Sequence, residues 1–170
     1  MAAKSSLRQF QQDLAVRLAN ARSAPAAATR LGVQCGSGLW LVDLIEAGEI
    51  VPVPALMPVP LTKSWYAGIA NVRGSLVSVV DFAAFATGVA TPRAPENRLL
   101  LVGAKLGINS ALLVSRMLGL RNPRDFRTLA DQVAGAPWAG LTYSDGGGQS
   151  WRDLKLNALV ADAEFLQVGL

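Results

Sequence analysis

Leu7, Phe10, Leu14, Leu18 and Ala21 recur at steps of three or four, with Arg8, Gln12, Arg17 and Arg22 on the other faces. That spacing predicts an amphipathic helix, capped by Ser5 or Ser6. "SAPAAA" (23–28) reads as a linker. From residue 29 the apolar runs shorten. "TRLGVQC" and "LWLVDLI" flank "GSG" (36–38), which predicts a hairpin. "EIVPVPALMPVPL" (49–61) carries four prolines, which exclude a helix or a central strand and leave an edge strand followed by an extended loop.

"TKSWYAGIA" predicts one helical turn entered at Thr62 and ended near Gly68, "SLVSVVDF" a strand, and "AAFATG" a brief helix. The polar, proline-bearing "ATPRAPENR" (90–98) marks a seam between two halves. Beyond it lie "LLLVGA", "SALLV" and "RMLGLR", then a loop through Asn122-Pro123. "WAGLTY" and "WRDLKL" bracket "SDGGGQ" as a second hairpin, and "NALVADAEFLQV" predicts a closing helix with Asn157 as its N-cap. Short strands at close spacing indicate small barrels rather than an alternating βαβ sheet. The expected organisation is a helix and linker over 1–28 and a mainly β body over 29–170, with halves 29–97 and 98–170.

Composition narrows the chemistry. Of 170 residues, 51% are apolar and 16% charged, enough for a substantial core and too apolar for disorder. Mean hydropathy is +0.32. Yet the longest oily region, "LLLVGAKLGINSALLV" (99–114), is broken by Lys105, Asn109 and two glycines, so no membrane-inserted helix is expected. The N-terminus lacks the continuous apolar segment of a secretory signal, and a cytoplasmic placement follows. Cys35 is the only cysteine and histidine is absent. An intramolecular disulfide, a cysteine zinc site and histidine-based nucleophilic catalysis are thereby excluded, and Cys35 reads as a small core residue. The net charge of +4 raises a nucleic-acid-binding small barrel as an alternative, but the basic residues are scattered singly and not interleaved with aromatics.

The densest motif is "WYAGIANVRGSLVSVVDF" (65–82). A phosphate cradle needs successive glycines and a helix N-terminus, whereas "NVRGS" has one glycine and leads into a strand. A phospho-acceptor role for Asp81 needs an earlier acidic pair and alternating helices, which are absent; Asp81 reads as a capping or turn residue. A binding surface fits better. Gly68 and Gly74 permit tight turns on either side of "IANVR", which would hold the Arg73 guanidinium at a barrel lip. Glu49 is its candidate partner within the chain. The alternative is that Arg73 only satisfies local carbonyls.

"GIANVRGSLVSVVDF" resembles the G-x-x-N-[LV]-R-G-x-[IVL]-[VL]-P-[IVL]-[IVL]-D-L signature of CheW-like domains. "LVDLIEAGEI", which ends on Glu49-Ile50, the proline pair Pro58 and Pro60, and Trp65-Tyr66 are similar to flanking family features. The resemblance implies two intertwined SH3-like five-stranded barrels without catalysis, cofactor or metal. It implies an adaptor that couples the hairpin tip of methyl-accepting chemoreceptors to the regulatory barrel domain of a CheA-type histidine kinase, without binding nucleic acid. It further implies that strands are exchanged between the halves, and that Glu49, Ile50, Gly68, Asn71, Arg73 and Gly74 form the partner-binding positions. "KSWYAGIANVRG" and the tail "ALVADAEFLQV" are most similar to members serving type IV pilus (twitching motility) systems. Ser78 stands where the family usually has proline. Val114-Ser115-Arg116-Met117 replaces a Val-Asp-x-Val step, and Ala47 a larger aliphatic.

Overall fold

The computed structural model describes residues 29–129 and 135–170. The amphipathic helix and linker expected over 1–28 lie outside the described residues. In chain order the strands are β1 (Arg30–Cys35), β2 (Gly38–Asp43), β3 (Ala47–Pro52), β4 (Leu56–Met57), β5 (Tyr66–Val72) and β6 (Ser75–Asp81). The helix α1 (Phe82–Thr87) follows. Next come β7 (Arg98–Val102), β8 (Ser110–Val114), β9 (Arg116–Arg121), β10 (Phe126–Thr128), β11 (Ala139–Asp145) and β12 (Ser150–Leu154). Helices α2 (Leu156–Leu159) and α3 (Ala163–Leu166) close the chain.

The strands form two six-stranded sheets, ordered β10-β11-β12-β2-β1-β9 and β3-β7-β8-β6-β5-β4. The first takes β1 and β2 from the first half of the chain, and the second takes β7 and β8 from the second half. Two parallel pairs, β2 with β12 and β6 with β8, make these joins, and all other neighbours are antiparallel. Each sheet has six strands rather than the expected five. The short strands β4 and β10 add a two-residue and a three-residue strand at one edge of each sheet.

Successive residues of a strand face opposite sides. In β6, β7 and β8 both sides are buried. Val80, Leu100 and Leu112 face a core shared with β1, β2 and the helices, while Val79, Leu99 and Ala111 face a second cluster with Ala70 and Val77. This explains why "LLLV" and "SALLV" are continuously apolar instead of alternating. The edge-strand residue Val51, with Val53 and Leu56, packs on that same second cluster, so the sheet curls round it.

Helix α1 is a wedge between the sheets. Asp81 begins it by accepting from the Ala84 amide at 3.2 Å, as an N-cap should. Its other contacts, from the Thr91 amide and hydroxyl at 2.7 Å each, pin the 88–97 connection. Phe82 meets Trp40 at 5.1 Å and Trp138 at 5.5 Å, and Phe85 meets Trp65 at 5.1 Å and Phe165 at 5.6 Å, mostly edge to face. Cys35 lies in this core, where burial pushes its thiol pKa well above the ordinary value.

Two expectations are corrected. The helical turn expected from Thr62 to Gly68 is instead the start of β5, paired along β6 from Tyr66. A bulge at Ala67 breaks the two-residue alternation that would have revealed the strand. The closing helix is two short ones. Asp162 accepts from the amides of Glu164 and Phe165 and so starts a new helix, while α2 is preceded by Lys155, not capped by Asn157. The Glu46 carboxylate covers its first amide, accepting from Leu156 N at 2.8 Å.

Because Phe82 is fully buried at the centre of the aromatic cluster, Phe82→Ala should destabilise the fold by about 3–5 kcal/mol. Leu76→Ala, at a side chain 59% exposed, should change stability by less than about 0.5 kcal/mol. Urea denaturation midpoints of the two variants check the contrast.

Candidate functional site

The β5–β6 hairpin is closed by two residues, Arg73 and Gly74, between the paired Val72 and Ser75. Both have left-handed backbones, with φ of 51° at Arg73 and 86° at Gly74. A two-residue hairpin of this kind follows the right-handed twist of its strands. Glycine adopts it freely, whereas a side chain at position 73 carries about 1–2 kcal/mol of strain. Among the described residues only Leu61 shares this non-glycine geometry. Asn71 holds the turn, its Oδ1 accepting from the Gly74 amide at 2.8 Å.

The Arg73 guanidinium stands at the hairpin tip and pairs with the Glu49 carboxylate. Glu49 comes from β3, where a register shift between Ala47 and Ile50 leaves Gly48 and Glu49 opposite Leu101. Such bulges redirect side chains. The Arg73 side chain is 76% exposed and that of Glu49 43%, so the pair contributes only about 0–1 kcal/mol to folding. Ile50, beside Glu49, is also exposed at 37%. Thus Glu49, Ile50, Asn71, Arg73 and Gly74 are all exposed, and the Arg73–Glu49 pair links the hairpin tip to β3.

Gly68 is different. It is buried within β5 at the bulge, not in a turn, with φ of 118°. A Cβ there would lie 2.2 Å from the Met57 carbonyl oxygen, so only glycine lets β4 lie against β5. Ser78 also has a local reason. Its amide donates to the Asn109 carbonyl at 3.1 Å and its hydroxyl accepts from Tyr66 at 3.2 Å, and a proline could supply neither contact. Sequence reasoning placed Arg73 at the lip but missed its own left-handed conformation. The signal was available in the two-residue gap between strand-forming runs.

Asp81 is 6% exposed with both oxygens engaged, which bears out its reading as a capping residue and leaves no phospho-acceptor there. In the other sheet, Arg30 donates to Asp153 at 2.7 Å; burial raises the pKa of that carboxyl and Arg30 opposes the rise. The glycine-rich turn after β11 is organised by Asp145. Its oxygens accept from the Trp151 indole at 3.0 Å and from the Gly147 and Gln149 amides at 2.9 Å each. These bonds, the indole first, hold the Asp145 carboxyl below its ordinary range.

Residues 30–164 match the CheW-like domain family, and the chain belongs to it. As a member it is a non-catalytic scaffold. Among individual proteins it is similar to protein PilI of Pseudomonas aeruginosa, with 27% identity over 144 residues, covering 82% of this chain and 79% of that one. Its fold is similar to the crystal structure of the scaffolding protein TtCheW from Thermoanaerobacter tengcongensis. The TM-score is 0.67 at 16% identity, covering 79% of this chain and 88% of that one. No helix among the described residues is long and apolar enough to cross a membrane.

Gly68→Ala should cost at least about 3 kcal/mol, because backbone must move. Gly74→Ala, with nothing within 4 Å of the added carbon, should cost about 1–2 kcal/mol from its φ alone. Denaturation midpoints should rank them so. For Asp145 the sign is fixed by its lowered pKa: its contribution is present above the unfolded value near 3.8 and is lost as pH falls through the folded value. The Trp151 indole N–H resonance, followed by NMR, should therefore titrate with a midpoint below 3.8. A midpoint at or above it would contradict the hydrogen-bonded cap.

Proposed function

We propose that this chain is a cytoplasmic adaptor coupling methyl-accepting chemoreceptors to a CheA-type histidine kinase in a chemosensory system that controls type IV pili. Family membership supports the coupling role, and the similarity to PilI supports the subgroup. On this reading the two curled sheets are the family's intertwined SH3-like barrels, and residues 29–170 act as one body.

The observation that carries the reading is Arg73 itself. Its backbone is strained, and its ion pair returns little folding stability because both groups are solvated. An exposed guanidinium with five donors, held by a locked turn, is suited to a partner carboxylate or a row of carbonyls. Glu49 then keeps it extended until a partner arrives. Ile50 supplies apolar contact beside the pair, Asn71 and Gly74 fix the turn, and Gly68 acts from beneath by setting the hairpin's course. Barrel faces that hold receptor and kinase together let receptor conformation bias the kinase. A few desolvated anchors supply affinity and rim charges supply rate and selectivity.

Arg73→Ala keeps the left-handed Cβ and removes only the guanidinium. It should weaken binding to kinase or receptor by about 2–5 kcal/mol while leaving the fold intact. Co-purification with the regulatory barrel fragments of a pilus-associated and a flagellar kinase checks the assignment. Capture by the first and not the second is expected. Capture by neither, or unchanged affinity of folded Arg73→Ala for both kinase and receptor, would contradict it.

A further inference from the structure

We propose that the first sheet carries a second protein-docking site, which accepts one large apolar side chain projecting from an acidic segment. A cavity of about 160 Å³ opens there, lined by Arg30, Leu41, Pro123, Phe126 and Tyr143. This is smaller than the roughly 300–1,000 Å³ of small-molecule sites and matches a single side chain. Leu41 is 3% exposed, and the Phe126 ring is braced by Tyr143 at 6.4 Å and Trp151 at 5.7 Å. The apolar walls are therefore fixed before any partner arrives, which lowers the ordering cost of binding.

The polar groups at the cavity favour an anionic neighbour. One Arg30 amino nitrogen serves Asp153, and the Tyr143 hydroxyl has no hydrogen-bond partner among the described residues. On the far side of β10 a second hollow, of about 370 Å³, is lined by Arg124, Asp125, Arg127, Ser144, Asp145 and Gly146. Asp145 is occupied by the turn it caps. Arg124 and Arg127 are exposed and form no side-chain hydrogen bond or ion pair among the described residues, leaving two guanidinium groups against the one exposed carboxylate of Asp125. A segment crossing the short β10 edge would seat its apolar side chain beside Leu41 and Phe126 and lay its carboxylates on Arg124 and Arg127. An aromatic or aliphatic anchor ringed by charge is the usual form of an interface hot spot. The site lies on the other sheet from Glu49 and Arg73 and does not rest on their role.

The test uses the full chain and an acetylated, amidated pentapeptide, Glu-Glu-Phe-Glu-Glu, with NMR of the Leu41 methyl and Tyr143 ring resonances. Saturable shifts are expected. Binding should weaken at least about tenfold when the peptide's Phe becomes Gly, when its Glu residues become Lys, or in the Arg124→Glu, Arg127→Glu protein. Arg73→Ala should bind the peptide unchanged. Both arginines are exposed, so the double variant keeps the fold, and Arg127→Gln gives a milder second reading of the same dependence. No saturation up to about 5 mM, equal binding of the Lys peptide, or unchanged affinity in the double variant would overturn the proposal. Nuclear Overhauser contacts from Phe10 or Leu14 to the Leu41 methyls in the full chain would overturn it too, by showing the cavity filled by the chain's own segment.

Discussion

The three-strand wall of β6, β8 and β7 is the constraint on which the rest of the molecule depends. Its residues serve two interiors at once: Val79 and Leu99 on one side, Val80 and Leu100 on the other. The parallel join of β6 to β8 brings the two halves of the chain into this wall, and β2 with β12 makes the reciprocal join in the other sheet. Neither sheet is complete without both halves. A displacement on one face of the wall is felt on the other, because close-packed interiors transmit strain. That is a useful property in a scaffold that holds other molecules in register.

From this wall the candidate surface is positioned by short, rigid steps. β6 leads directly back into the Arg73-Gly74 turn, Asn71 locks the turn, and Gly68 lets β4 close over β5. At the other end of β6, Asp81 starts α1 and ties down the 88–97 connection. One strand thus carries a recognition group at its beginning and the aromatic wedge at its end. Stability and display are divided along it: the buried end supplies the core, and the exposed end gains almost nothing from its ion pair.

Much of this arrangement was legible in the residues. The hairpin at "GSG", the proline-marked edge strand, the seam at 90–98 and the helix "AAFATG" all follow from turn chemistry and proline geometry, which act locally. The Glu49–Arg73 contact was readable only as a charge pairing, since curling of the sheet decides whether β3 meets the hairpin tip. What escaped was tertiary in origin. The bulge at Ala67 hid β5 behind a helix-like spacing, and Glu46 caps a helix 110 residues away. The sixth strands are only two and three residues long, too short for any periodic signal. The role of Gly68 could be read as backbone freedom, but its burial under Met57 could not.

The central claim is that Arg73 is displayed for a partner and is not kept for its bond to Glu49. Exchanging the two charges, Glu49→Arg with Arg73→Glu, separates these alternatives, because it rebuilds the intramolecular pair while reversing what a partner meets. The decisive measurement is the affinity of this exchanged protein for the kinase and receptor fragments, alongside its denaturation midpoint. A midpoint close to the parent's with binding lost is the outcome expected. Parental affinity for both fragments in the exchanged protein would contradict the account.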